Sequence, residues 1–552
     1  MMAETENIVH MNLDFLPLKS YANIVEGNAL TLDWGEVVPR DKVDYIMGNP
    51  PFVANVTRVA GKDAHASAML NDSQKKDRLA LFGKAGGVLD YVACWYKKAA
   101  EYMASLTEGG GARSATEGVP QTGGKTPPTA YGGPPSSERR AIRAAFVSTN
   151  SITQGQQVAP LWKPLFENGI KINFAYQTFK WGSEASNAAT VYVVIIGFSY
   201  QTDDHSKLFS GDNMRLVQHI NAYLMNADDV FIEKRKTPIC AEIPAMARGS
   251  QPTDNGNFIF TDKEREAFLA ENHGAEKFLR PYMMGNDFIQ RTTRWCLWLV
   301  GVEPAEIRKY PAVAKRIESV REFRLKSTKA ATRKKADTPT LFDEIHDCKS
   351  SYVALPKVSA GGRKYIPIDY LSPEIIAGDK LFMVQDATLY HFGVLTSNIH
   401  MAWQNVVCSK YGPSYSYSNT LAYNNFPWPS PTDAQKAKIE ETAQMILDAR
   451  NLYPKSTFAD LYDTAMMPPE LRKAHQANDR AVMAAYGFFI LRRGVSRAYS
   501  IAFSPTPHHS RAHLPCGRIS TGAYSRPVPA STWLHNTRFC LGMPRSLCSW
   551  RT

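Results

Sequence analysis

Short β-branched and aromatic runs, alternating with longer amphipathic stretches, constrain this chain more than any other feature. VDYIM (43–47), AAFVS (144–148) and VYVVIIGF (191–198) have the length and residue types of buried strands. Between the first two, VLDYVACWYKKAAEYM (88–103) places Val88, Val92, Trp95, Ala99 and Tyr102 on one face of a helix. Strands interleaved with helices predict an α/β domain with a parallel, doubly wound sheet. The 552 residues suffice for about three to four domains. With 44% hydrophobic and 21% charged residues, wholesale disorder is excluded. TVYVVIIGF is far shorter than the roughly 18 apolar residues of a membrane helix, and MMAETENIVH has no signal-peptide core. A cytoplasmic protein with no membrane partner is expected.

Two stretches differ from the rest. Residues 104–143 hold eight glycines and five prolines in forty positions, the composition of a disordered insert. Residues 494–552 hold seven arginines and no Lys, Asp or Glu, and so supply +7 of the net charge of +12. This tail has no helical or strand period and is expected to be disordered, with a composition that a frameshift would produce. Its His508, His509, His513 and Cys516 lack metal-ligand spacing, and no metal site is expected. The eight cysteines are scattered without a CxxC pair and read as reduced thiols.

The segment with the clearest chemistry is Asn49-Pro50-Pro51-Phe52, one residue after VDYIM. In an open α/β sheet, ligands bind at the carboxyl ends of strands, so a catalytic loop belongs there. These residue types suit methylation of an exocyclic amine. The Asn49 carboxamide oxygen and the Pro50 carbonyl can accept both amine hydrogens and draw the nitrogen lone pair out of conjugation, with no strong base required. Pro50 and Pro51 stiffen the loop, and Phe52 offers a ring to a base turned out of the duplex. The alternative reading is a proline-rich turn at a strand exit.

NPPF after a hydrophobic strand resembles the signature of amino-class adenine-N6 DNA methyltransferases. More narrowly, NIVEGNALTLDW, DYIMGNPPFV, LDYVACWYKKAAEYM, AFVSTNSITQGQQV and TFKWGSEASNAATVYVVIIGF look like successive blocks of the MmeI-like methyltransferases of restriction-modification systems. RPYMMGNDFI, RWCLWLVG, VALPKVSAGGRKYIP, FGVLTSNIHMAW and SYSYSNTLAYNNFPWP resemble that family's target-recognition domain, and MPPELRKAHQANDRAVMAAYGF its C-terminal helices. The resemblance implies a Rossmann-like class I S-adenosylmethionine-dependent methyltransferase sheet, an α+β target-recognition domain and C-terminal helices. The implied boundaries are 1–235 for the catalytic domain, 236–430 for recognition, 431–493 for the helical segment and 494–552 for the tail.

The resemblance further implies that Asn49, Pro50, Pro51 and Phe52 are catalytic. It places Asn28 at a strand end near the adenine of S-adenosyl-L-methionine, and Asp90 and Tyr91 at the start of a helix beside the cofactor's methionine end. Asn28 also fits a turn, and Asp90 a helix N-terminal acid favoured by the dipole. Asn150 fits either a pocket residue or a cap for the following helix, and the cap is preferred. The family pattern is not complete: no GxG precedes EGNAL, so the chain is expected to begin after the glycine-rich cofactor loop and to carry no nuclease.

Double-stranded DNA is the implied partner. From Arg308 to Lys335 there are eleven Lys or Arg against two Glu, a stripe suited to phosphates or to a solvated helix face. Arg324, Lys326, Arg333 and Lys334 are its candidate contacts. In SAGGRKY, Arg363 and Lys364 are candidates for base readout, since flanking glycines let a loop enter a groove. Tyr411, Tyr415, Tyr417, Tyr423, Phe426 and Trp428 either stack on bases or pack a core. The expected reaction is methyl transfer from S-adenosylmethionine to adenine N6. The alternatives are an inactive fragment that still binds DNA, a methyltransferase completed in trans by an upstream chain bearing the glycine-rich loop, or methylation of a protein glutamine amide.

Overall fold

The computed structural model describes residues 24–53, 70–104, 142–182, 191–201 and 203–488. The greater part of the glycine-rich insert and the whole arginine-rich tail, with His508, His509, His513 and Cys516, lie outside the described residues. The chain divides into two compact units. The first comprises residues up to Thr149 together with Pro164–Phe179 and Val193–Ile220, and the second comprises the remainder.

The first unit is built on a six-stranded sheet in the order β1-β2-β4-β3-β5-β6. The strands are β1 (Tyr45–Gly48), β2 (Arg143–Thr149), β3 (Lys171–Trp181), β4 (Val191–Ser199), β5 (Ser206–Ser210) and β6 (Asn213–Val217). β1 and β2 are parallel, as the alternating pattern predicts. The sheet as a whole is mixed rather than all parallel, because β4 runs antiparallel to β2 and β6 antiparallel to β5. The physical reason is connection length: residues 182–190 alone link β3 to β4, too few for a crossover helix.

The helix Ala93–Ala104 covers β2 and β4. Its buried Tyr96 stacks on Phe198 with ring centres 5.1 Å apart, meets Phe146 edge-on at 5.3 Å, and shares a 2.8 Å hydrogen bond with Ser148. Such aromatic pairs add about 0.5–1.5 kcal/mol each beyond their buried area. At the other end of this helix, Tyr102 donates to the Val38 carbonyl at 2.9 Å and lies 5.7 Å from Trp34. The short segment before β1 is thereby tied down. β1 ends the strand order, and its Tyr45 and Met47 are 59% and 79% exposed.

Among the described residues, the second unit holds two four-stranded sheets and a three-stranded one. The sheet around the strands Tyr352–Pro356 and Leu381–Gln385 is buried against helices, and Val353, Leu381 and Val384 share one core with Ile439, Ala443, Ile446, Leu471 and Val482. The last five belong to the helices Asp433–Asn451 and Pro469–Ala485. Thr432 opens the first of these helices with a capping box to Gln435. The basic stretch after Arg308 forms two helices, Pro311–Leu325 and Ala330–Lys334. Cys94, Cys296, Cys348 and Cys408 are buried free thiols. Cys240 is buried as well.

Candidate active site

β1 delivers Asn49-Pro50-Pro51-Phe52 at its carboxyl end. Pro50 is buried while Asn49 is exposed, so the loop is anchored by one residue and presents the carboxamide of the other. Beside it is a cavity of about 350 Å³ lined by Trp34, Met47, Asn49, Pro50, Pro51, Trp95 and Phe146, among others. Asn49, Pro50 and Pro51 therefore share one wall space. Phe52, half-buried, is absent from the lining, and the aromatic walls come from Trp34, Trp95 and Phe146. Trp34 is held by its indole nitrogen, which donates to the Ala29 carbonyl at 2.8 Å.

A second cluster lies in the same unit. Asp77, on the helix Asp72–Phe82, accepts hydrogen bonds on one oxygen from Asn28 Nδ2 at 3.0 Å and from the Tyr91 hydroxyl at 2.7 Å. Burial, reinforced by the Asp77 carboxylate, pushes the Tyr91 phenol above its ordinary range. Tyr91 packs with Leu30, Leu70 and Cys94, its ring sits edge-on to Trp95 at 5.3 Å, and its backbone N–H donates to the Val53 carbonyl at 3.0 Å. That last bond ties it to the residue following Phe52. Burial raises the Cys94 thiol to about 12, so this neighbour stays a neutral packing group.

Two expected placements change. Asn28 heads a turn and does not end a strand: its carbonyl accepts from Thr31 and Leu32, and its side-chain oxygen from the Leu30 N–H at 3.0 Å. The amide of Asn28 satisfies this local turn and reaches Asp77 at once. Asp90 and Tyr91 precede the helix, which starts at Ala93, and their carbonyls receive the N–H groups of Ala93 and Cys94. Asp90 is buried, with the Thr149 hydroxyl 3.4 Å from its carboxylate. Asn150 opens a short 3-10 turn, where its carbonyl accepts from Thr153.

Sequence reasoning missed Asp77, Trp34 and Trp95. Trp95 was assigned to a helical packing face, which it also serves. Asp77 carried no signal, because its two partners lie 49 and 14 residues away.

In the second unit, Arg324 is corrected outright. It is fully buried, and its guanidinium donates to the carbonyls of Thr253 at 3.1 Å, Lys335 at 2.9 Å, Thr338 at 3.1 Å, Pro252 at 2.8 Å and Leu341 at 2.7 Å. An arginine with all five donors spent on backbone has none for a phosphate. Arg316 is also turned inward, 4.2 Å above the Phe260 ring. Lys326, Arg333 and Lys334 remain exposed, with Arg333 donating to the Ser327 and Thr328 carbonyls.

Arg363 and Lys364 are half-buried, and burial lowers both from their usual values. Arg363 donates to Ser359 at 3.2 Å. Of the aromatic series, Tyr417, Tyr423, Phe426 and Trp428 are buried in the core, which rules out base stacking for these four. Tyr415 is half-buried.

Comparison with known proteins then decides the family. Residues 1–125 and 135–210 match the MmeI DNA-methyltransferase domain, residues 226–430 the MmeI target recognition domain, and residues 431–501 the MmeI C-terminal domain. The chain belongs to the MmeI family. Its first unit thus carries the family's Rossmann-like methyltransferase fold. Among relatives, DNA methyltransferase A of Bacillus subtilis (strain 168) is 33% identical over 492 residues, which is 88% of this chain and 50% of that protein. Among solved structures, the Type IIL restriction-modification enzyme MmeI in complex with DNA superposes with a TM-score of 0.75 at 38% identity, covering 89% of this chain and 61% of the other. The chain thus spans half to about three fifths of the length of these two relatives.

Proposed function

We propose that this chain is the methyl-transferring and target-reading part of a DNA methyltransferase that modifies adenine N6 with S-adenosylmethionine. The observation that carries the reading is the placement of Asn49, Pro50 and Pro51 on the wall of an aromatic-lined cavity at the carboxyl end of β1. The groups present suit the cofactor. The rings of Trp34 and Trp95 are favourable surfaces for a sulfonium cation, and outside that lining Asn28 and Tyr91, joined through Asp77, are polar groups for the adenosine.

S-adenosylmethionine supplies an electrophilic methyl group on that sulfonium when bound. Asn49 Oδ1 and the Pro50 carbonyl each accept one hydrogen of the adenine amine, and so turn its lone pair toward the methyl. The buried Pro50 and the adjacent Pro51 keep these acceptors in place, so little reorganisation is needed as charge develops. Lys326, Arg333 and Lys334 offer exposed charge to the DNA backbone, and such work belongs in the cytoplasm.

The test is transfer of labelled methyl from S-adenosylmethionine to DNA, with digestion to nucleosides to identify the modified base. Asn49→Ala is expected to lower turnover by about 10²–10³, the usual effect of removing one preorganised polar group, with DNA affinity retained. N4-methylcytosine in place of N6-methyladenine, or full activity in Asn49→Ala, would overturn the assignment. The exposed Tyr45 and Met47 on the edge strand β1 favour a second reading, in which another polypeptide, such as one bearing a glycine-rich cofactor loop, lies against that edge and completes the site. Salt-sensitive DNA binding without uptake of S-adenosylmethionine by the isolated chain would support it.

A further inference from the structure

The helix Asp72–Phe82 contributes nothing to the lining of the cavity, yet two adjacent side chains on it hold residues next to that lining: Tyr91 lies edge-on to Trp95, and Asn28 precedes Ala29, whose carbonyl holds Trp34. Asp77 Oδ2 receives both the Asn28 amide and the Tyr91 hydroxyl. Arg78, buried, donates Nη1 to the Leu89 carbonyl at 2.7 Å. The 89–91 turn is thus gripped through its backbone by one residue and through its side chain by the next. From there the Tyr91 N–H reaches the Val53 carbonyl, directly after the NPPF loop.

The helix has little room to drift. A Cβ on Gly86 would lie 2.8 Å from Phe82 Cβ and 3.0 Å from the Arg78 carbonyl, so the chain that follows the helix returns in close contact with it. A single carboxylate oxygen that accepts from two side chains fixes the separation of those side chains. It also selects the Asn28 amide orientation in which the oxygen remains turned to Leu30 N.

We propose that Asp77 is a positioning residue for S-adenosylmethionine, holding Asn28 and Tyr91 on one oxygen so that the two form one subsite for the adenosine part of the cofactor, and not, as the resemblance implied for Tyr91, for its methionine end. The inference rests on the methyl-transfer reading above and assigns a role that no local pattern marks. Asp77 acts through its two partners, so its removal loosens the subsite and leaves the DNA-binding surface of the chain intact.

The experiment is isothermal titration of the full chain, its Asp77→Ala variant and its Asp77→Asn variant with S-adenosylmethionine, alongside fluorescence anisotropy with a duplex DNA. Asp77→Ala is expected to weaken cofactor binding about 10–100-fold, the range seen when an outer partner of a ligand-holding side chain is removed. Asp77→Asn keeps an oxygen able to accept from both partners and is expected to bind within roughly 3-fold of the parent. DNA affinity is expected to stay unchanged in both. In a Tyr91→Phe background, the further effect of Asp77→Ala should shrink, since one of its two partners is already gone. Parent-like cofactor binding by Asp77→Ala would sink the positioning role alone. Equal loss in both variants together with lost DNA binding would mark Asp77 as a folding residue and overturn the proposal. A parent chain that binds DNA but gives no cofactor heat would favour the second reading, a site completed by another polypeptide, and would overturn a positioning role for Asp77 within this chain; a parent chain that binds neither would remove the methyl-transfer reading itself.

Discussion

Substituting Arg324 separates a residue that holds the fold from one that holds DNA. Its five donors meet five carbonyls from three stretches of chain, at Pro252 and Thr253, at Lys335 and Thr338, and at Leu341. A hydrogen bond to a charged group contributes about 1.5–3 kcal/mol, and breaking a buried charged cluster from one side costs about 3–5 kcal/mol once relaxation is counted. Arg324→Ala should therefore destabilise the second unit by about 4 kcal/mol. Arg324→Lys has three donors for five acceptors and loses at least two bonds, which puts it near ~3 kcal/mol. Urea unfolding followed by tryptophan fluorescence reads both, as a lower midpoint at similar slope. DNA affinity at temperatures where the variants stay folded should keep the parent salt dependence. An unchanged midpoint combined with a salt slope reduced by about one would mean that Arg324 meets a phosphate, and would refute the structural role.

Three further outcomes follow from particular contacts. Replacing Lys326, Arg333 and Lys334 together with Ala should lower the salt slope of DNA binding by up to about 2–3 and weaken all sequences alike; an unchanged slope would remove these side chains from the interface. Gly393→Ala should destabilise by about 1–3 kcal/mol, because its Cβ would lie 2.7 Å from Ile439 Cγ2 and 3.2 Å from Ala443 Cβ, and a neutral result would show that these helices have slack. Acid should loosen the second unit. Burial holds His391 and His400 down at about 4 and His475 well below its ordinary value, while it raises Asp479 to about 6. A depressed histidine gives stability that is present above about 6.5 and lost as pH falls toward 4, at up to ~1.4 kcal/mol per pH unit for each group. Asp479 acts in the opposite direction below about 6, so three groups outweigh one. A urea midpoint that stays flat or rises from pH 6.5 to 4.5 would contradict the buried neutral histidines.

Much of the architecture was legible because it is local. The NPPF loop sits where the preceding hydrophobic run ends, and strand exit is where an α/β sheet presents ligand-contacting residues. The helix Asp433–Asn451 is local in the same way, because Ile439, Ala443 and Ile446 recur at helical spacing and are buried on one face. Sheet direction was less legible, since a strand pattern states burial but not the direction in which a neighbour runs.

Side-chain roles divide along the same line. Residue type and order along the chain determined the chemistry available at Asn49 and Pro50, the family resemblance and the excess of basic residues after Arg308. Tertiary structure alone decided which charges face water. Arg324 and Lys326 are two residues apart in sequence, yet one is buried under five carbonyls and the other exposed. It alone brought Asp77 to Asn28 and Tyr91, and it turned Tyr417, Tyr423, Phe426 and Trp428 from candidate stacking platforms into core. The physical reason is range: periodicity and capping act over a few residues, whereas burial of a charge or convergence on one carboxylate depends on segments tens of residues apart that meet only when the chain is packed.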